Sequence, residues 1–260
     1  TEYRYQGANP NNYITFNNEE GKWRIIGVFE VETPNDDGTY TKENKVKIIR
    51  DSIGTSAYNG KTTLLVNYKV STINSNLNNS NGAAPYDILK NNSSYITKTR
   101  YYMGNVSESQ MLKGIYSDER NKSSDSDSDY DDFFIGLIYT SDYMYASSSC
   151  YDKDNNTSTK LGYSTSESND FRACTNDNWL YTGNNYWTFN NSKYIDEEHI
   201  YTDNYQVGKL RFTSAKIAAP SGGYLFPVYI SEDGKIYYQN RKSSYNVRPS
   251  LYLSTDVTFI

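Results

Sequence analysis

Five aspartates stand in the run "SSDSDSDYDDFF": Asp125, Asp127, Asp129, Asp131 and Asp132. Alternating carboxylates are the ligand type that hard cations such as calcium take. An EF-hand loop needs Gly at its sixth position and Glu at its twelfth. Counted from Asp125, those positions hold Tyr130 and Gly136; counted from Asp152 in "DKDNNTSTKLGY", they hold Thr157 and Tyr163. Both counts fail. The expectation is a solvated acidic loop and no cofactor, with calcium on Asp125, Asp127, Asp129 and Asp131 as the minor alternative.

Nucleophilic chemistry has little to build on. His199, in "DEEHIYTDN", is the only histidine, and Cys150 and Cys174 are the only cysteines. A Cys-His pair would have to use them, but no local motif surrounds them. Two cysteines are too few for a structural zinc site, and neither lies in a CxxC pattern. In so polar a chain they read as one disulfide, for which the chain-entropy model gives about 3 kcal/mol. There is no GxSxG, Walker A, GxGxxG or HExxH motif. The acidic pairs Glu19-Glu20, Asp36-Asp37 and Glu197-Glu198 lie in turn-like contexts, so solvated surface is their expected role.

Aromatic side chains offer a better binding signal. Tyr181, Asn184, Asn185, Tyr186 and Trp187 fall in one polar stretch, and Tyr237, Tyr238, Asn240, Arg241 and Tyr245 surround the last turn. Tyrosine beside Asn and Ser is the composition of adaptable binding loops. These ten residues are the candidate ligand contacts. Tyrosine is common throughout the chain, so core packing competes with this role.

The elements that must position these residues read as mostly strands. "YITFNNEEGKWRIIGVFEVE" predicts a strand, a turn at Asn17 to Gly21 and a second strand. In that second strand Trp23, a structural candidate, shares a face with Ile25 and Phe29, while Ile26 and Val28 take the other. Asp37-Gly38 and Asp233-Gly234 are hairpin turns. "APYDILKN", "SSYITKTRYYMGN" (closed by Gly104) and "SESQMLKGIYS" are helix candidates. Asn74 to Gly82 reads as a polar loop. "FFIGLIYTSDYMYAS" reads as a strand running into a loop, and "DNWLYTGNNYWTFNN" as a further hairpin. The expected fold is α+β: one domain over residues 1–260, with a twisted antiparallel sheet, two or three helices and long polar loops.

Composition excludes some partners. The net charge is -5, and the lysines and arginines form no stripe, so nucleic acid is not expected. No run of about 18 apolar residues occurs, so no transmembrane segment is expected in this chain. The 28 tyrosines, 9 phenylalanines and 3 tryptophans distinguish it from disordered sequences. An extracellular, cell-surface domain whose anchor or secretion segment lies outside the chain is the expected context.

The stretches "YRYQGANPNNYITFN", "WRIIGVF", "KIIRDSIG", "IGLIYTSDYMYAS", "NDNWLY" and "VRPSLYLSTDV" occur here in an order that resembles a family of secreted proteins of Gram-positive bacteria, many from the gut. Many members of that family are similar to type IV prepilins. The resemblance spans nearly the whole chain and implies an adhesin or pilus-associated subunit whose partners are a surface glycan, a protein ligand or other pilin-like subunits. The terminal "VRPSLYL" also resembles the closing strand of C-type-lectin-like and formylglycine-generating-enzyme-like domains. The "RGGSW"-type stretch of those enzymes and the EPN, QPD and WND calcium motifs of the lectins are absent. A carbohydrate-binding module and a hydrolase or oxidase stand as alternatives.

That closing stretch, "YNVRPSLYL", carries Arg248 and Pro249 inside an apolar run. Strand alternation places Arg248 on the polar face, paired with a carboxylate or loop carbonyls. Pro249 would interrupt the ladder at a bulge or an edge. Both are expected to act as structural locks.

Overall fold

The computed structural model describes residues 2–60, 67–106, 116–117, 119–120, 130–148, 174–194, 201–202, 214–215, 224–238 and 241–255. The N-terminal part contains β1 (Tyr3–Arg4), β2 (Tyr13–Phe16), β3 (Glu19–Pro34), β4 (Tyr40–Arg50) and β5 (Thr55–Ala57). The middle contains α1 (Thr72–Leu77), α2 (Ile88–Asn92), β6 (Ile96–Thr97), β7 (Thr99–Tyr102), β8 (Asn105–Val106), β9 (Tyr130–Phe133), β10 (Ile135–Gly136) and α3 (Thr140–Tyr145). The C-terminal part contains β11 (Tyr186–Tyr194), β12 (Tyr201–Thr202), β13 (Ser214–Ala215), β14 (Tyr224–Ile230), β15 (Ile236–Tyr238), β16 (Ser244–Asn246) and β17 (Ser250–Leu253).

Two mostly antiparallel sheets dominate. The first has seven strands in the order β1-β3-β4-β17-β10, with β2 also on β3 and β6 also on β17. The second has six, in the order β15-β14-β11-β16-β5, with β8 also on β11. Side chains from both sheets enter one hydrophobic cluster, which holds Trp23, Ile48 and Leu251 from the first and Trp187, Phe189 and Ile230 from the second.

The long hairpin β3–β4 shows how the sequence makes its own turns. Gly38 takes φ +82° after Asp37, whose carboxylate accepts from the Thr39 amide at 2.9 Å. Asn17 and Asn18, both at φ +55°, connect β2 to β3. Asparagine tolerates this left-handed region, and two such residues in a row match the twist of a tight hairpin. Gly234, at φ +78°, closes the β14–β15 hairpin.

A bulge at Ile26 separates the pairs Ile25–Ile48 and Gly27–Lys47. The extra residue breaks the alternation expected for β3. Trp23, Ile26, Phe29 and Val31 are buried, while Ile25 and Val28 are half-buried. Gly27 is obligatory beside the bulge, since a Cβ there would lie 2.1 Å from the Tyr3 carbonyl oxygen. That carbonyl belongs to β1, which pairs Arg4 with Gly27.

Three expectations for the middle of the chain change. Residues 72–77 form α1 where a polar loop was expected, with Ser71 Oγ accepting the Asn74 amide as an N-cap. "SSYITKTRYYMGN" forms β6 and β7, because β17 and β9 supply partners that its indifferent helix formers do not resist. "TSDYMY", expected as a strand running into a loop, forms α3. "APYDILKN" does end in a helix, α2. The expected hairpin at 177–191 is a turn that leads into the single strand β11. Most of "SESQMLKGIYS" lies outside the described residues.

"YNVRPSLYL" is two strands. β16 belongs to the second sheet and β17 to the first, and Val247–Pro249 crosses between them. Beside it, 51–54 makes the same crossing from β4 to β5. The two crossings bond to each other: Ile53 N donates to Val247 O, Val247 N to Gly54 O, and Arg50 N to Pro249 O, all at 2.9 Å. Pro249 therefore contributes only its carbonyl, at a point where an N–H is not required.

Candidate functional site

Buried Lys47 and Arg120 converge on Asp142, at the third position of α3. Its Oδ2 accepts the Tyr139 amide at 3.0 Å, fixing the helix start. Lys47 Nζ donates to the same oxygen at 2.5 Å, and neither side chain is exposed to solvent. Arg120 Nη2 donates to Oδ1, and Arg120 Nη1 donates to the Tyr252 hydroxyl at 2.7 Å. Aromatic rings enclose the group: Lys47 Nζ stands 4.8 Å from the Tyr139 ring centre, and the Arg120 guanidinium stands 4.4 Å from that of Phe29.

Glu119 adjoins this pair. Its Oε1 accepts from Thr140 Oγ1 at 3.1 Å and from Asn190 Nδ2 at 2.8 Å, and its buried Oε2 has no hydrogen-bond partner. Burial raises the Glu119 carboxyl to about 7 against the opposing pull of the Ser141 hydroxyl and of Arg120. Burial also lowers Lys47 to about 8, although Asp142 counteracts it. Burial alone would raise Asp142; Lys47, Arg120 and Arg4 outweigh it and hold that carboxyl well below its usual range. A cavity of about 40 Å³, lined by Glu119, Arg120, Tyr139 and Tyr252 among others, lies beside the group. It is the size of a water or two, too small for a substrate.

Sequence reasoning passed over these residues. The signal was a lysine inside the apolar strand "VKIIR" and an aspartate inside the aromatic run "IYTSDYMY". A buried charge in either place requires a partner.

The ten expected ligand contacts sort differently. Tyr186 and Trp187 are fully buried, so they are packing residues and not ligand contacts. Trp187 Nε1 donates to Ser56 O at 2.8 Å, and Tyr186 OH to Leu180 O at 3.0 Å. Tyr245 and Tyr237 are half-buried against Tyr229, at ring distances of 4.4 and 5.8 Å. Tyr181 is half-buried and donates to Glu232 O at 2.8 Å. Asn184 is exposed, and Asn185 Oδ1 accepts the Glu232 amide at 2.9 Å. Arg241 is half-buried, its carbonyl accepting the Asn59 amide. Tyr238 is described only in its backbone pairing with Val228, and Asn240 lies outside the described residues.

Arg248, expected on the polar face of a strand, instead lies buried between β16 and β17 at the crossing of the sheets. Its Nη1 donates to Leu180 O at 3.0 Å, its guanidinium lies 5.0 Å from the Tyr186 ring centre, and Nη2 approaches Asp51 at 3.8 Å. Trp23 is fully buried and donates to Glu19 Oε2 at 2.9 Å.

Asp125, Asp127, Asp129, Cys150 and His199 lie outside the described residues. Asp131 pairs with Lys69 at 2.8 Å, and Asp132 accepts from Tyr40 OH at 3.2 Å. No group of three or more potential metal ligands occurs among the described residues. Cys174 is buried and is not a free thiol. No described helix is long and apolar enough to cross a membrane.

Beside β1 the first sheet carries a groove of about 350 Å³, lined by Tyr3, Arg4, Tyr5, Ile25, Gly27, Val28 and Val46. Tyr3 is 67% exposed and Tyr5 38%. Arg4 contributes little charge to the groove, because its guanidinium turns to Glu2 and to the Tyr116 and Tyr145 rings.

Comparison with protein-family models, curated proteins and solved structures finds no match for this chain.

Proposed function

We propose that this chain is the extracellular domain of a bacterial cell-surface or pilin-like protein, an adhesin or pilus-associated subunit that binds a protein ligand. The observation that carries this reading is the groove between Tyr3, Tyr5 and the β3–β4 face. Exposed tyrosines beside an aliphatic floor provide contact area at low entropic cost, as protein-binding surfaces do. Ile25, Val28 and Val46 offer no hydrogen bonds, so apolar side chains suit the floor better than sugar hydroxyls.

The carbohydrate-binding alternative loses Tyr186 and Trp187, its strongest aromatic platform. A C-type-lectin-like arrangement stays within the proposal, supported by the antiparallel sheets and the terminal strand. The buried Cys174 supports an oxidising compartment, with Cys150 as its proposed partner. No metal cofactor is proposed.

The test is binding of the fluorescently labelled domain to intact Gram-positive cells. Tyr3→Ser with Tyr5→Ser should weaken binding roughly tenfold, about 1.4 kcal/mol, and leave the melting curve in place. Protease treatment of the cells should abolish binding. Binding that survives protease but is lost after glycan oxidation would hand the function to the carbohydrate alternative.

A further inference from the structure

We propose that Lys47 and Asp142 become joined by an amide bond between their side chains, closed within the folded core without any other enzyme. This modification is independent of the proposed ligand and its groove.

The geometry supplies each requirement of the reaction. The amine nitrogen stands 2.5 Å from a carboxyl oxygen, and both side chains are sealed from solvent. Holding two reactants at contact replaces an improbable encounter with an effective concentration far above any in solution. Arg120 Nη2 is bonded to Oδ1, the oxygen that would carry negative charge in the tetrahedral intermediate. Glu119 directly precedes Arg120, which bonds Asp142, and its Oε1 accepts from Thr140, two residues before Asp142. Its Oε2 has no hydrogen bond of normal geometry, with the Ser141 hydroxyl close to the carboxyl, and can carry a proton.

The atoms balance without a co-reactant. Against the pull of Arg120 and Arg4, which favours the carboxylate, the Lys47 ammonium first passes one proton to Asp142 Oδ2, giving a neutral amine and a carboxylic acid. Nζ then attacks Cγ, and the Nζ–Cγ bond forms. Glu119 removes the second proton from Nζ and delivers it to Oδ2. The Cγ–Oδ2 bond breaks, and Oδ2 departs as water with both protons. Glu119 ends as it began. The neighbouring cavity, lined by Glu119 and Arg120, has room for the released water. The product removes the Lys47 and Asp142 charges from the core and leaves Glu119 as the acidic neighbour of Arg120.

The bond would tie the middle of β4 to the first turn of α3, 95 residues apart in sequence. It would hold the first sheet to the element that anchors Asp142.

The experiment is intact mass measurement of the purified, reduced wild-type chain, followed by peptide mapping. The expected result is a chain one water lighter than its sequence and a branched peptide joining Lys47 to Asp142. Peptide mapping is essential because Asp37-Gly38 and Asp233-Gly234 can also lose water as cyclic imides. A wild-type chain of full sequence mass, or a water loss mapped elsewhere, overturns the proposal. Glu119→Gln should fold, by circular dichroism, yet keep its full mass. If this variant is also a water lighter through the same branched peptide, the assignment of proton transfer to Glu119 is wrong while the bond stands.

Discussion

Lys47 Nζ and Asp142 Oδ2 stand 2.5 Å apart with no solvent on either side chain. The contact joins a strand in the first sheet to the first turn of α3, and Arg120 completes it from a third segment. A charge pair sealed this way is costly to build and more costly to break.

Relative to wild-type chain in which Lys47 and Asp142 are still an ion pair, Asp142→Asn should therefore destabilise the fold by about 3–5 kcal/mol, since Lys47 and Arg120 would keep their buried charges without an anion. Lys47→Met should cost less, because a methionine fills the same volume and Asp142 retains Arg120. Urea unfolding midpoints at an unchanged slope would measure the difference. Equal midpoints for the two variants would show that burial, and not charge pairing, sets the cost.

Glu119 predicts a pH dependence on the neutral side. Its folded value of about 7 lies above the ordinary 4.5, so the folded state holds this proton more tightly than the unfolded chain. The stability it contributes is complete below about pH 4.5 and is lost as pH rises through 7. The charges facing it are Arg120 from its own segment, Asp142 from α3 and Lys47 from β4; Ser141, Thr140 and Asn190 face it as neutral donors. Glu119→Gln should flatten the fall in melting temperature between pH 5 and 8, as measured by calorimetry.

Glu19 predicts the opposite slope on the acid side. Hydrogen bonding from Arg50 and Trp23, set against partial burial, holds its carboxyl down to about 2, below the ordinary 4.5. Its contribution is present above about pH 4.5 and is lost as pH falls through 2. Glu19→Gln should remove part of the acid destabilisation and lower stability at pH 7. An unchanged acid limb in the variant would assign that limb to other carboxylates.

Arg248→Ala should lower stability and leave binding to cells unchanged in specificity, because it removes a buried donor to Leu180 O and the ring contact with Tyr186. The expected cost is about 1–3 kcal/mol, from the emptied side-chain volume and the loss of one of two donors to Leu180 O, which keeps the Tyr186 hydroxyl. Unchanged melting with lost binding would turn Arg248 from a lock into a ligand contact.

The hairpin turns were legible because a turn is a local choice. Asp37-Gly38 and Asp233-Gly234 carry their backbone conformations in their own chemistry, with both glycines at positive φ. The strand character of β3 and β4 was legible for the same reason, through dense β-branched and aromatic residues. Element type in the middle of the chain was not. Thr99–Tyr102 became a strand through Tyr130–Phe133, and Thr72–Leu77 became a helix capped by Ser71. These outcomes rest on partners and caps that propensity does not weigh.

The charged centre was less legible still. Lys47, Glu119 and Asp142 are far apart in sequence and share no motif, and each looks like an ordinary charge until the fold removes water from it. The same holds for Tyr186 and Trp187, whose polar neighbours suggested a loop and whose strand buries them. Sequence alone determined where this chain turns, that it is rich in strands, and that its closing Arg-Pro pair marks a break. The tertiary structure decided which tyrosines face solvent and which charges meet, because burial and pairing are properties of segments brought together from distant parts of the chain.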